Sequence, residues 1–570
     1  MAEKIVSPGV FTNEVDQSFL PAGVQAIGAA VVGPTRKGPA GIPTVVSSYS
    51  EYLQIFGGKF SSGSGAVENS YKYLTNYAAQ EYLKYADTLT VVRVADNALP
   101  ATASICTSSG VATTNGTAFK LITLSDGAAQ NSVGGTLGTN QTLPNGTEDN
   151  IRYEISSVNN NKGTFNLLIR RGDDTSRRKI ILEQYNNLTL DPNSNNYIAK
   201  VIGDQVQTLR DGGGTDPFLQ LSGSFPNKSR YVRVEVFKNT YNYLDSNGNI
   251  RNSDASGSLP AIGSGSLAGG FGDGSDGEVV HPIKFYETVE NTNTQGFNLS
   301  DATNKNAYVD AIRLLKNQDE YDINLLTLPG LVDNMSNHAT VLTEAVNMVE
   351  DRSDCFLVID PVEYAGSISQ ATTKAEARDS NYVAEYWPWV KIPDNDLGRN
   401  VWVPASTLIP SVYAFNDRVA APWFAPAGLN RGGIDIAVQT ERKLTHANRD
   451  TLYESNVNPI ATFPNSGVVV FGQKTLQKKA SALDRVNVRR LLIAAKKFIA
   501  STTKFLIFEN NTAATRNRFL SIVNPYFESV QQRQGLFAFK VVMDESNNTP
   551  DVIDRNQMVG QIFLQPAKAA

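Results

Sequence analysis

Four consecutive stretches, NKNAYVDAIRLLKN (304–317), DINLLTLPG (322–330), NHATVLTEAVNMVEDR (337–352) and CFLVIDP (355–361), decide the fold. The first and third carry apolar residues at helical spacing. The second and fourth are short, nearly continuous apolar runs, as in strands covered on both faces. Helix, strand, helix, strand predicts crossover units and a mainly parallel sheet.

The same rhythm recurs on both sides. AIGAAVVGPTRKGPAG (26–41) predicts a strand entering a Gly/Pro turn, and SSYSEYLQIFGG (47–58) a short helix with Ser47 as cap and Gly57-Gly58 as stop. A longer helix over 66–86 and a buried strand, TLTVVRVA (88–95), follow. Towards the C-terminus the pattern predicts a helix in SALDRVNVRRLLIAAKKFIA (481–500) capped by Ser481, with Asp484 as box-like partner. Next come a strand in KFLIFEN (504–510), a helix in TRNRFLSIVNPYFESVQQR (515–533) and a strand in LFAFKVVMD (536–544).

Composition changes near residue 97, where Ser, Thr, Asn and Gly take over. NIRYEISSV (150–158), TFNLLIRR (164–171) and RYVRVEVFK (230–238) read as antiparallel strands, and GSGSLAGGFGDGSDG (263–277) as a Gly-rich hinge. The expectation is an α/β multidomain chain with a core built from its N- and C-terminal regions. Its divisions are an arm (1–20), an N-terminal core segment (21–96), a β-rich inserted protruding domain (97–270), a second α/β domain (271–365) and a C-terminal core (366–570).

At 570 residues, 41% hydrophobic and 19% charged, the chain is too long for one core and ordinary in makeup for a globular protein. A net charge of −5 argues against a general nucleic-acid binder. Cys106 and Cys355, far apart, give no disulfide framework and fit a reducing cytosol. No run of eighteen apolar residues and no apolar leader in MAEKIVSPGVFTNEVD implies no membrane insertion, and Asn-x-Ser/Thr triplets at Asn115, Asn145 and Asn187 read as chance.

Catalytic motifs fail on spacing. In GVVVFGQKT (467–475), Gln473 separates Gly472 from Lys474, so the lysine cannot share phosphates with the loop amides, and the stretch reads as a strand ending in a turn. Asp273, Asp276 and Glu278 lack the alternating carboxylates of a calcium loop. His281, His338 and His446 show no metal spacing, and no Gly-x-Ser-x-Gly elbow separates a strand from a helix. Trp387 and Trp389, near Trp402, Trp423 and Phe424, fit a packed junction better than a stacking platform. The reading is no catalytic residue, no metal and no cofactor.

What remains is charge. Arg485, Arg489 and Lys496 fall on one helical stripe with Arg490 and Lys497 beside it, and Asp484 is the only acid between Lys474 and Lys504. A solvated helix face is the plain reading; the missing acids favour a surface for one acidic partner.

Several strings together resemble the contractile tail sheath subunits of T4-like myophages. They are SPGVFTNEVD (7–16), VVGPTRKGP (31–39), PWVKIPDNDLGRNVWVPAS (388–406), FNDRVAAPWFAPAGLNRGG (415–433), LDRVNVRRLL (483–492) and NNTPDVIDRNQMVGQIFLQPA (547–567). The resemblance implies stacked hexameric rings around a tail tube, which contract and drive the tube through the host envelope. It implies a virion protein made in host cytoplasm, with partners in its own copies, the tube protein, baseplate and tail terminator, and neither nucleic acid nor membrane. Tube-facing residues would be Arg485, Arg489, Arg490, Lys496 and Lys497. An arm of Ile5, Val6, Val10, Phe11 and Val15 would add a strand to a neighbour's sheet, and Ile562, Phe563 and Leu564 would form a linking region. Relatives carry a further strand after IFLQPA, so the last linking strand is expected to be missing here. The sheath of a bacterial contractile injection system is the related alternative. A hydrolase with a site assembled in space and an adhesin in the insertion are the alternatives from other classes.

Overall fold

The computed structural model describes residues 28–61, 70–107, 116–251, 253–263, 269–277, 288–300 and 302–567. The arm residues Ile5, Val6, Val10, Phe11 and Val15 lie outside them, as do Glu278 and His281. Two compact units divide the described chain, Gly28–Ile493 and Ala494–Ala567.

An eight-stranded sheet organises the larger unit. Its spatial order is Thr44–Val46, Leu89–Arg93, Gly28–Gly33, Ile323–Val332, Phe356–Asp360, Val383–Trp387, Val457–Phe463 and Gly467–Val470. The six inner strands are parallel and the two edge strands antiparallel to their neighbours. Segments read as separate regions thus share one sheet, which runs across the divisions placed at 96 and 365.

Alternate residues serve opposite faces. Ala29 and Val31 pack with Tyr52, Phe56, Leu74, Leu408 and Val412, while Ala30 and Val32 pack with Tyr308, Ile312, Val341, Leu342 and Leu452. All four sheet residues have no exposed surface. Covering both faces explains why these strands read as unbroken apolar runs. Each fully buried large aliphatic or Phe side chain contributes about 1.5–3 kcal/mol.

Local readings shift where a cap decides. Ser48, not Ser47, caps the Tyr49–Phe56 helix, accepting from Glu51 N at 3.2 Å, while Ser47 donates from N and Oγ to the Glu51 carboxylate at 2.9 and 2.7 Å. Gly57 ends the helix at φ +76, a conformation that needs no Cβ. The helix expected over 66–86 is Leu74–Tyr82 among the described residues. KFLIFEN forms no strand: Lys504–Leu506 is a 3-10 turn, and Phe508 follows at φ +70.

The β-rich stretch folds as predicted into antiparallel sheets. Pro100–Cys106, Thr117–Asp126 and Val232–Val236 form one, and Ile151–Asn159, Thr164–Arg171 and Ile181–Thr189 another. They share a core in which the rings of Phe119 and Phe165 stack at 5.6 Å. The described portion of the expected hinge is packed instead. Gly272 pairs with Thr102 and Ser275 with Leu99, Phe271 is fully buried, and Asp276 accepts from Arg93 Nη2 at 3.1 Å. Its glycines serve close backbone approach, since a Cβ on Gly274 would come within 2.6 Å of the Gly127 carbonyl oxygen.

In the smaller unit, helix Ala513–Gln532 is capped by Thr512, whose side chain accepts from Thr515 N. It buries Phe519, Val523, Phe527 and Val530, and Phe498 stacks on Tyr526 at 4.0 Å. Leu536–Val542 and Gln561–Pro566 form a two-stranded antiparallel sheet.

Candidate functional site

The basic helix begins later than its sequence suggests. Ser481 caps a 3-10 turn, Ala482–Asp484, by accepting from Leu483 N, and Arg485 follows in extended conformation. The α-helix is Val486–Thr503. Arg485 therefore precedes the helix, and the stripe drawn through Arg485, Arg489 and Lys496 does not begin where helical phasing places it.

Burial corrects the stripe further. Arg489 is 4% exposed, Arg490 9% and Lys497 8%, whereas Arg485 is half-buried and Lys496 exposed. Each arginine lies over a tyrosine ring, Arg485 on Tyr453 at 5.7 Å, Arg489 on Tyr382 at 4.1 Å and Arg490 on Tyr413 at 4.6 Å. Arg489 Nη2 donates to Asn381 Oδ1 at 2.6 Å, Arg490 Nη2 to Asp417 Oδ2 at 2.5 Å, and Arg485 Nη1 to Tyr453 Oη at 2.9 Å. Burial holds the Arg489 pKa below its ordinary value, partly offset by Tyr382. The acid and aromatic faces that satisfy these cations stand 73, 108 and 32 residues away in the chain. No local pattern announces them, so a helix lacking nearby acids read as an open basic face.

Ile562, Phe563 and Leu564 lie opposite Val541, Lys540 and Phe539 in the two-stranded sheet. Phe563 is 57% exposed and Phe537 65%. Among the described residues neither strand pairs with a third, so each presents an open edge of backbone donors and acceptors.

Several of the residues weighed for chemistry are committed to contacts within the fold. Trp387 and Trp389 are 1% exposed, and Trp389 Nε1 donates to the Val362 carbonyl at 3.0 Å. Lys474 Nζ donates to the Tyr453 carbonyl at 2.6 Å, so no phosphate cradle forms there. His338 Nδ1 accepts from Val332 N at 3.2 Å, and burial lowers its pKa to about 4. Asp360 and Glu385 are fully shielded on neighbouring central strands. Burial raises Asp360 to about 7 although Ser406 hydrogen-bonds it; Glu385 is raised by burial, then by Asp333, and neither of its oxygens has a hydrogen-bond partner. Among the described residues no group of three or more His, Cys, Asp or Glu could hold a metal ion, and no helix is long and apolar enough to cross a membrane.

Comparison with known proteins places this geometry. Residues 304–476 match the phage tail sheath protein central domain, and 478–570 the phage tail sheath C-terminal domain. Residues 304–570 are thus similar to both of these phage tail sheath domains. The chain is 39% identical over 214 residues to the tail sheath protein of Vibrio phage KVP40, covering 37% of this chain and 31% of that protein. It is 29% identical over 302 residues to the tail sheath protein of Enterobacteria phage T4, covering 48% of this chain and 45% of that protein. The chain thus spans under half the length of these sheath relatives. A sheath tail protein from Listeria innocua shares the fold at 10% identity and a TM-score of 0.53, over 95% of this chain and 96% of that one. The T4-like resemblance read in the strings of 388–433 and 483–567 is borne out, as is the α/β sheath fold.

Proposed function

We propose that this chain is the structural subunit of a contractile phage tail sheath. It polymerises as stacked hexameric rings around the tail tube and contracts to drive the tube through the host envelope during genome delivery. The match of 304–570 to both sheath domains carries the reading, and the open-edged two-stranded sheet supports it, since an added strand gains main-chain hydrogen bonds along either edge. The phage origin of the sequence relatives favours a phage tail over a bacterial contractile injection system.

In this reading the work comes from lattice rearrangement without catalysis or cofactor. Partners are further copies of the chain, the tube, the baseplate and the tail terminator, and the protein resides in the virion after synthesis in host cytoplasm. The Ile5–Val15 arm docks on a neighbour, and Ile562, Phe563 and Leu564 receive a strand. Of the five cations proposed to face the tube, Arg485 and Lys496 meet it, while Arg489, Arg490 and Lys497 brace the surface from within. The 97–270 insertion protrudes outward, between core segments 21–96 and 366–570 and beside the 271–365 segment.

Negative-stain electron microscopy of the purified chain over a concentration series tests this. Striated tubes or stacked rings are expected, and single particles at every concentration would overturn self-assembly by this chain. Arg485→Glu should abolish co-sedimentation with tube; unchanged co-sedimentation would remove Arg485 from that surface.

A further inference from the structure

A cavity of about 470 Å³ opens where the chain enters the basic helix, with Gly428, Arg449, Tyr453, Phe471, Gln473 and Arg485 in its wall. Its volume lies in the range of ligand sites. Two guanidiniums reach it with most of their donors uncommitted. Arg449 lies over the rings of Phe463 and Phe471 at 5.3 and 5.6 Å, and its hydrogen bond to the Leu444 carbonyl is long, 3.5 Å. Arg485 donates once to Tyr453 and sits 3.8 Å from the Asp484 carboxylate. A guanidinium carries five donors in a planar fork suited to a carboxylate.

One further observation points to a ligand. Gln473 is 6% exposed, and its Oε1 has no hydrogen-bond partner, an arrangement that costs about 1–3 kcal/mol unless a donor arrives. Lys474 stands outside the cavity wall, 4.3 Å from the centre of the Tyr453 ring, with its Nζ committed to the Tyr453 carbonyl. Asp450, in the same wall, hydrogen-bonds His446 Nδ1 at 2.8 Å, and Asp484 lies 3.8 Å from Arg485. Phe471, 44% exposed, and Tyr453 supply apolar walls.

We propose that this cavity is a recognition pocket for a glutamate-bearing segment of a partner protein. The carboxylate sits between Arg449 and Arg485, the side-chain methylenes lie against Phe471 and Tyr453, and a peptide N–H donates to Gln473 Oε1. An inorganic oxyanion would answer the guanidiniums but not the aromatic walls or the unpaired amide oxygen. The pocket gives Arg485 a defined partner chemistry, and it rests on the sheath reading only for who that partner is.

The test is fluorescence anisotropy of the full chain with fluorescein-labelled hexa-L-glutamate at low salt. Saturable binding is expected, weakened roughly tenfold or more by Arg449→Gln or Arg485→Gln, with Gln473→Leu also weaker. Thermal melting of each variant separates lost binding from lost folding, and Arg449→Lys, which keeps the charge without the fork, should be intermediate. Equal weakening by Lys443→Gln, at an exposed site outside the pocket wall, would reduce the effect to diffuse charge and overturn the pocket. Equal affinity for hexa-L-glutamine, or displacement by inorganic phosphate at lower concentration than by glutarate, would overturn it too. Absence of binding would overturn the pocket alone, since the sheath reading stands or falls on assembly.

Discussion

The guanidinium of Arg490 holds the Asp417 carboxylate at 2.5 Å while lying 4.6 Å from the centre of the Tyr413 ring. Removing one partner of a largely buried pair leaves the other charge uncompensated. Arg490→Ala is therefore expected to lower unfolding free energy by about 3 kcal/mol. Lys496→Ala, at an exposed site on the same helix, should change it by less than about 0.5 kcal/mol. Urea denaturation of both variants checks the contrast, and equal losses would contradict the burial assigned to Arg490.

Acid should stabilise the larger unit around its central strands. Burial raises Asp360 to about 7 and lifts Glu385 above the carboxylate range. In the unfolded chain both groups lose their protons near pH 4. From there up to the raised native values the native state binds more protons, so rising pH favours unfolding, by up to about 1.4 kcal/mol per pH unit per group. Glu385→Met, with similar volume and no charge to bury, should raise stability at neutral pH and flatten the slope. Chemical denaturation from pH 5 to 7 reads both effects.

Phe508 occupies φ +70 with its side chain wholly exposed. A non-glycine residue there carries about 1–3 kcal/mol of strain, and this one has no packing to lose. After glycine's unfolded-state entropy is subtracted, Phe508→Gly should stabilise the protein by roughly 0.5–1 kcal/mol. Phe505→Gly, at a residue without positive φ, should not. Calorimetry of the pair decides.

Phe563 projects from the C-terminal strand of the two-stranded sheet and is 57% exposed. Phe563→Asp should leave monomer stability within about 0.5 kcal/mol, yet reduce sedimentable assembly sharply. Analytical ultracentrifugation measures the second and urea melts the first.

Much of the fold was legible because burial writes itself into short stretches. Nearly continuous apolar runs at 28–33, 323–332 and 356–360 marked strands covered on both faces, and Gly57 marked a helix end. The C-terminal turn was not legible: FLIF in 505–508 has strand composition, but strand character needs a neighbour, and a 3-10 turn leaves Phe505, Ile507 and Phe508 in solvent. The site was half legible. Charge clustered visibly around Arg485–Lys497, yet whether a guanidinium faces water or a tyrosine depends on Tyr382, Tyr413 and Tyr453, which only the folded sheet brings near.

The strands Leu89–Arg93 and Ile323–Val332 flank Gly28–Gly33 on either side, and more than two hundred residues separate them in the chain. A crossover between parallel strands needs little more than one covering helix, and Ala302–Leu314 already packs there. The β-rich excursion is thus a detour within a connection that geometry could close without it. Its outer loops can drift in length while the register of every central strand stays, provided Asp126 and Asp149 remain at its base to meet Arg93, Ala40 N and Lys37. Genetic grafting into its outer loops would add to the chain and leave the central sheet as it is.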